Sequence, residues 1–169
     1  MNSAAYALPQ LSKLFHYGFA TLCENIITKE KSLHATVPYK KGNIFATFEA
    51  LETLSIPNKY TVQINDETHI ILQPEFLQYI NHGCNPNIFF DTTAMELCCL
   101  QDISAGDELT FFYPSSEWAM AEPFLCFCGA NNCLHEIQGA SFLPQEIIHN
   151  YKFTDFVMQK LNNTFLQKV

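Results

Sequence analysis

Residues 81–87 read NHGCNPN. Asn81, His82 and Cys84 place an amide, an imidazole and a thiol side by side, and Asn87 follows a proline. A run this polar, carrying Gly83 and Pro86, suits neither a helix interior nor a strand interior. It reads as a fixed turn, and the residues around it must say what the turn is fixed for.

Outward from that turn, the chain from Leu33 to about Thr110 consists of short apolar runs between turn signals such as KKGN (40–43), SIPNK (55–59) and NDET (65–68). YTVQI (60–64), HIILQ (69–73) and ELTFFY (108–113) are rich in β-branched and aromatic residues and MELCCL (95–100) is a short apolar run, and all four read as strands. Pro74 opens a single helical turn over 74–80. Beyond Pro144, the spacing of Ile147, Ile148, Tyr151, Phe156, Val157 and Leu161 predicts one or two short helices within 141–169. Residues 3–30 carry mixed signals, read as helix followed by strand or loop. The fold class is therefore mainly β with short helices (α+β).

The cysteines fall into two groups. Cys23, Cys98 and Cys99 have apolar neighbours and read as small core residues. Cys126, Cys128 and Cys133, in CFCGANNC, surround a tight turn that returns Cys133 toward the first two. Three such thiolates leave one corner of a tetrahedral Zn2+ site open. Cys84 in its own turn could close it, and His135 is the alternative. The plain alternative to both is a set of reduced, partly buried thiols with no metal. A polar loop of this kind has little apolar surface to hold itself down, so metal binding would supply much of its folding energy. Trp118 and Phe124 flank the loop and are expected to pack beneath it, or alternatively to shield a bound ligand's aromatic base.

Bulk composition narrows the classes. With 169 residues, 48% hydrophobic content, 15 Phe and 7 Tyr, the chain can build one aromatic-rich core. A formal charge of −8 argues against direct nucleic-acid binding and agrees with a basic partner such as a Lys-rich peptide, the plain alternative being that the acidity only keeps the protein in solution. No apolar run reaches the roughly 18–20 residues that span a bilayer, and the first residues lack a secretory-signal pattern. The expectation is an intracellular protein, nuclear or cytoplasmic, that contacts no membrane.

Taken together, three stretches resemble the SET-domain protein-lysine methyltransferases. INHGCNPN (80–87) resembles their NHxCxPN signature, GDELTFFY (106–113) their GxELTxxY segment, and CFCGANNC (126–133) the post-SET pattern CxCx4C. The similarity covers about residues 30–139. It implies a fold of several small curved sheets with a pseudoknot, and a division into an N-terminal extension (1–29), a SET domain (30–116), a post-SET zinc loop (117–139) and a C-terminal helical extension (140–169). In the family, the cysteine of NHxC is the fourth ligand of a structural zinc, which makes the ligand set Cys84, Cys126, Cys128 and Cys133.

The resemblance further implies S-adenosylmethionine-dependent methyl transfer to a lysine amine of a protein or peptide. Tyr113 matches the phenol bordering the pore where lysine meets the methyl. Phe111 matches the position whose size tunes the number of methyls admitted, and Tyr60 is read as lining the lysine channel. Lys31, Ser32, Leu33, Asn81 and His82 match cofactor-contacting segments. The chain departs from the family in EKSLHATVPYKKG (30–42), where Glu30 and Ser32 replace cofactor-facing glycines. The family's arginine before NHxC is absent, since Leu77, Gln78 and Tyr79 occupy that stretch. Alternatives are a SET-fold binding module with impaired catalysis, or methyl transfer to a non-histone or small amine substrate.

Overall fold

The computed structural model describes residues 10–166. The chain runs through β1 (Leu11–His16), β2 (Ala20–Asn25), β3 (Lys31–Ala35), β4 (Ile44–Thr47), β5 (Glu49–Leu54), β6 (Thr61–Gln63) and β7 (His69–Gln73). A 3-10 turn over Glu75–Tyr79 leads into β8 (Asn81–His82), β9 (Ile88–Asp91), β10 (Glu96–Cys99) and β11 (Thr110–Phe111). A second 3-10 turn, Tyr113–Ser115, precedes β12 (Phe124–Leu125) and β13 (Glu136–Ile137). Then come a third 3-10 turn (Ala140–Phe142), α1 (Gln145–Ile148) and α2 (Asp155–Leu166). The strands form five small sheets: β1-β2-β3, β4-β10-β9, β5-β7-β6, β11-β8 and β12-β13.

The expected strand-rich body with short helices is what forms, and the local chemistry explains the match. β7 is a nearly continuous apolar run that buries Ile70 and Leu72. In β10 the pattern alternates, burying Leu97 and Cys99, as a half-covered strand does. Cys23 is buried as expected, whereas Cys98 is only half-buried. Leu33, Leu72, Phe90, Leu97, Leu109 and Phe111 are among the side chains of the main core.

Three expectations are corrected. The described part of 3–30 holds two strands and no helix, because β2 pairs with both β1 and β3 and buries Ala20, Leu22 and Cys23 between them. Residues 3–9 of that stretch lie outside the described residues. ELTFFY is a strand only over Thr110–Phe111, since Tyr113 starts a 3-10 turn with Pro114 inside it. Trp118 does not pack beneath the cysteine loop. It joins a second cluster with Phe112, Phe153, Val157 and Leu161, and that cluster docks α2 on the body.

The expected pseudoknot takes the form of an interlock between 81–87 and 108–113. β8 and β11 pair in parallel, with Asn81 opposite Thr110 and His82 opposite Phe111. Asn87 fastens the crossing, because its Nδ2 donates to Glu108 O at 2.7 Å and its Oδ1 accepts from Thr110 N at 2.8 Å. Gly83 is required by proximity, since a Cβ there would stand 2.9 Å from Thr110 Oγ1. The Pro-Asn and Gly positions of the opening heptad are thus the fittings of a chain crossing.

Candidate active site and metal centre

Two cavities flank this crossing. One, of about 230 Å³, is walled by Val62, Leu72, Phe90 and Phe111 and carries Glu117 in its lining. The other is a wider cleft of about 810 Å³, lined by Lys31, Tyr79, Asn81, His82 and Phe127 among others. They share Lys59, Tyr60, Gln78, Tyr113 and Phe124. The cleft has the size of a cofactor site (about 300–1,000 Å³), and the smaller cavity falls below that range.

Tyr113 stands where the two spaces meet. Its hydroxyl donates to Ile80 O at 3.2 Å, and its backbone N–H donates to His82 Nδ1 at 3.2 Å. Burial, with the Glu108 carboxylate nearby, raises the phenol's pKa well above its ordinary value, so it stays neutral at physiological pH. With its proton committed to Ile80, the phenol oxygen has lone pairs to offer. Phe111, nearly buried, lies 4.6 Å from the Tyr113 ring and 4.5 Å from Phe90, centroid to centroid. Phe124 meets both His82 and Tyr113 edge-on. Tyr60, half-open to solvent, lines both spaces.

Of the residues expected to face the cofactor, Lys31, Asn81 and His82 line the cleft. Ser32 and Leu33 are turned elsewhere: Leu33 is fully buried in the main core, and Ser32 Oγ pairs with His34 Nε2 at 2.9 Å. The amide nitrogen of Asn81 donates to Lys31 O at 3.0 Å and to Glu108 Oε1 at 2.9 Å. That leaves its Oδ1 free to accept. Burial pulls His82 down to about 4, so the imidazole is neutral. Because Nδ1 accepts from Tyr113, the proton sits on Nε2, which faces Cys84 Sγ at 3.3 Å.

The four cysteines of the expected ligand set converge. The sulfurs of Cys84, Cys126, Cys128 and Cys133 all lie within 4.8 Å of one another. Tetrahedral zinc with bonds of about 2.3 Å places sulfurs roughly 3.8 Å apart, so the donor set fits a metal ion with little closure. Cys84 also receives the Leu134 N–H at 3.4 Å and faces His82 Nε2, donors that suit a thiolate ligand. Burial pushes the Cys84 thiol up, and Cys126 up to about 11. Burial also raises Cys128, but the N–H groups of Ala130 and Cys84 and the neighbouring thiols outweigh it and bring it to about 7. His135, the alternative fourth ligand, is not in the group; it takes a positive φ of 64° as the chain leaves the loop.

Several residues of the site carry no sequence signal of their own. Asn132 Nδ2 and Tyr151 Oη both donate to Cys84 O, at 2.7 and 3.0 Å, and Tyr151 stacks on Phe112 at 3.8 Å. Asn132 Nδ2 also donates to Tyr151 Oη at 3.1 Å, so the loop is held from the C-terminal segment as well as by its thiols. Phe127, between two cysteines, is 86% exposed along the cleft. Glu117 is buried in the smaller cavity. Asn132 and Phe127 could have been suspected from their place in the cysteine loop; Glu117 could not.

This fold and this interlock belong to one family. The family model "SET domain" matches residues 12–114, and the chain is a member of that family. Among relatives, it is 42% identical over 111 residues to "Methyltransferase flvH" of Aspergillus flavus, covering 63% of this chain and 62% of that protein. It is 36% identical over 83 residues to "Histone-lysine N-methyltransferase, H3 lysine-36 specific" of Candida albicans, covering 41% of this chain and 10% of that one. The protein of the same name in Schizosaccharomyces pombe is 36% identical over 69 residues, 37% of this chain and 8% of that one. The chain thus spans about three-fifths of the first relative and a tenth or less of the other two. No helix among the described residues is long and apolar enough to cross a membrane.

Proposed function

We propose that this protein transfers a methyl group from S-adenosylmethionine to an aliphatic amine, a lysine side chain of a protein or peptide. The observation that carries this reading is the meeting of two unlike cavities at one tyrosine. A cofactor-sized cleft on one side and a narrow aromatic slot on the other suit two reactants that must approach end to end. The relatives named as methyltransferases support the same reading, and those named for H3 lysine-36 support a lysine.

S-adenosylmethionine, when bound, supplies an electrophilic methyl on a sulfonium. Asn81 Oδ1 would accept from an amino group of that ligand, while Lys31, His82 and the open ring of Phe127 wall it. Tyr113 orients the reaction through its phenol oxygen, which presents negative potential without taking a proton. Phe111, Phe90 and Leu72 exclude water around the amine, and desolvation favours its neutral, nucleophilic form. Phe111 has no hydroxyl with which to hold a water, which favours more than one methyl transfer. The ion at the four thiols is zinc in this reading, structural rather than reactive, since no thiol corner is left open. A nuclear or cytoplasmic site of action, a lysine-bearing protein partner and the proposed domain boundaries belong to the same reading.

Calorimetric titration with S-adenosylmethionine tests it. Wild type is expected to bind, with Asn81→Ala weaker by roughly tenfold or more. A folded, zinc-loaded wild type that does not bind would turn the reading to a binding module. A lysine-peptide array then identifies the acceptor, and a product that stops at one methyl would remove the reading of Phe111.

A further inference from the structure

Glu117 is an acid in an aromatic slot. It is 9% exposed, lines the 230 Å³ cavity, and follows Tyr113 by one tight turn, its N–H donating to Tyr113 O at 3.1 Å. One carboxylate oxygen is engaged: Oε1 accepts the backbone N–H of Gln63 at 2.8 Å. Gln63 is held in turn, with its Oε1 accepting Trp118 N–H at 2.9 Å and its Nε2 donating to Asn65 O at 3.0 Å. Oε2 of Glu117 has no hydrogen-bond partner, and Glu117 no ion pair, among the described residues. Lys59, which shares the lining, lies over the Tyr60 ring instead, 4.9 Å from its centroid.

We infer, building on the methyl-transfer reading, that Glu117 is a specificity-determining residue of this channel, whose free Oε2 receives the alkylammonium head of the substrate beside Tyr113. A buried carboxylate without a cation is costly, and a structural acceptor for one N–H could as well be an amide. Burial holds the Glu117 carboxyl up at about 7 despite the Gln63 N–H. The surrounding rings add cation–π attraction for the same head group. The slot thus discriminates a charged amine from a neutral chain of equal size at the binding step.

The test is an NMR titration of the full zinc-loaded chain with n-butylammonium chloride and, separately, 1-butanol, each with and without S-adenosylmethionine. Wild type is expected to prefer the ammonium by roughly tenfold or more. Glu117→Gln keeps the acceptor for Gln63 N–H and removes the charge, and is expected to abolish the preference while binding S-adenosylmethionine as wild type does. Glu146→Gln, exposed on α1, is expected to retain it. A folded Glu117→Gln protein that still prefers the ammonium, or a wild type with no preference, overturns the inference. If Glu117→Gln does not fold, the wild type decides: absence of contacts between the butylammonium α-methylene and the Glu117 side chain overturns it. Failure to bind S-adenosylmethionine with the ammonium preference intact would overturn the methyl-transfer reading instead.

Discussion

At the scale of single residues, hydrogen bonds fix the orientation and protonation of the groups around the chain crossing. The Tyr113 hydroxyl donates a hydrogen bond to Ile80 O and its backbone N–H donates to His82 Nδ1, so ring and imidazole are mutually oriented and both neutral. Tyr113→Phe removes the lone pairs at the meeting of the cavities. It is expected to lower kcat by about 10²-fold or more with little change in the calorimetric affinity for S-adenosylmethionine. Glu117 gives a prediction in pH. Its carboxyl is raised from an ordinary 4.5 to about 7, so its contribution to stability is full below about 4.5 and is lost as pH rises through 7. Glu117→Gln is therefore expected to be more stable than wild type at pH 8 and to flatten the fall between pH 5 and 8. The scale is about 1.4 kcal/mol per pH unit between about 4.5 and 7 and levels off above that, measured by thermal melts at pH 5 and pH 8. The convergence of the loop thiols was legible from their spacing, whereas Tyr113 stood out only through the family resemblance of GDELTFFY. Glu117 was not legible, because its burial is set by Gln63, 54 residues away in the chain.

At the scale of elements, the loop 126–133 is closed by four sulfurs and by contacts from outside it. Its buried apolar support is small, chiefly Ile137 with partly buried Phe124, Met120 and Leu134. Metal removal should therefore release it. A strong chelator is expected to free about one zinc per chain by elemental analysis, expose 124–137 to hydrogen exchange and abolish binding of S-adenosylmethionine, since Phe127 and Cys128 form one wall of the cleft. The body's strands should stay protected, because their contacts do not pass through the loop. Acid should mimic the chelator, as protons compete with metal for thiolates. The strands β6 and β7 were legible from their β-branched residues, and β10, which has none, as a short apolar run between turns. β1 was not, since its residues are all exposed and only pairing with β2 makes it a strand.

At the scale of the whole molecule, the C-terminal segment completes the site from behind. Phe153, Val157 and Leu161 bury against Phe112, whose ring Tyr151 also stacks on. Leu161→Ala is expected to cost about 2–4 kcal/mol in chemical denaturation, and to loosen the metal loop through Tyr151, raising the rate of zinc loss to a chelator. What the sequence determined by itself was local: which segments extend, which residues turn, and which thiols sit close enough along the chain to share an ion. A tetrahedral site with three ligands calls for a fourth, but the residues offered both Cys84 and His135, and the family resemblance chose Cys84, which the structure brings to the other three. The tertiary structure alone decided what lies in the cavities. It turned Ser32 and Leu33 away from the cleft, gave Phe127 to it, and placed Glu117 in the aromatic slot. Those assignments depend on which face of each segment the crossing of 81–87 with 108–113 leaves open, and that crossing joins residues too far apart in the chain for any local pattern to register.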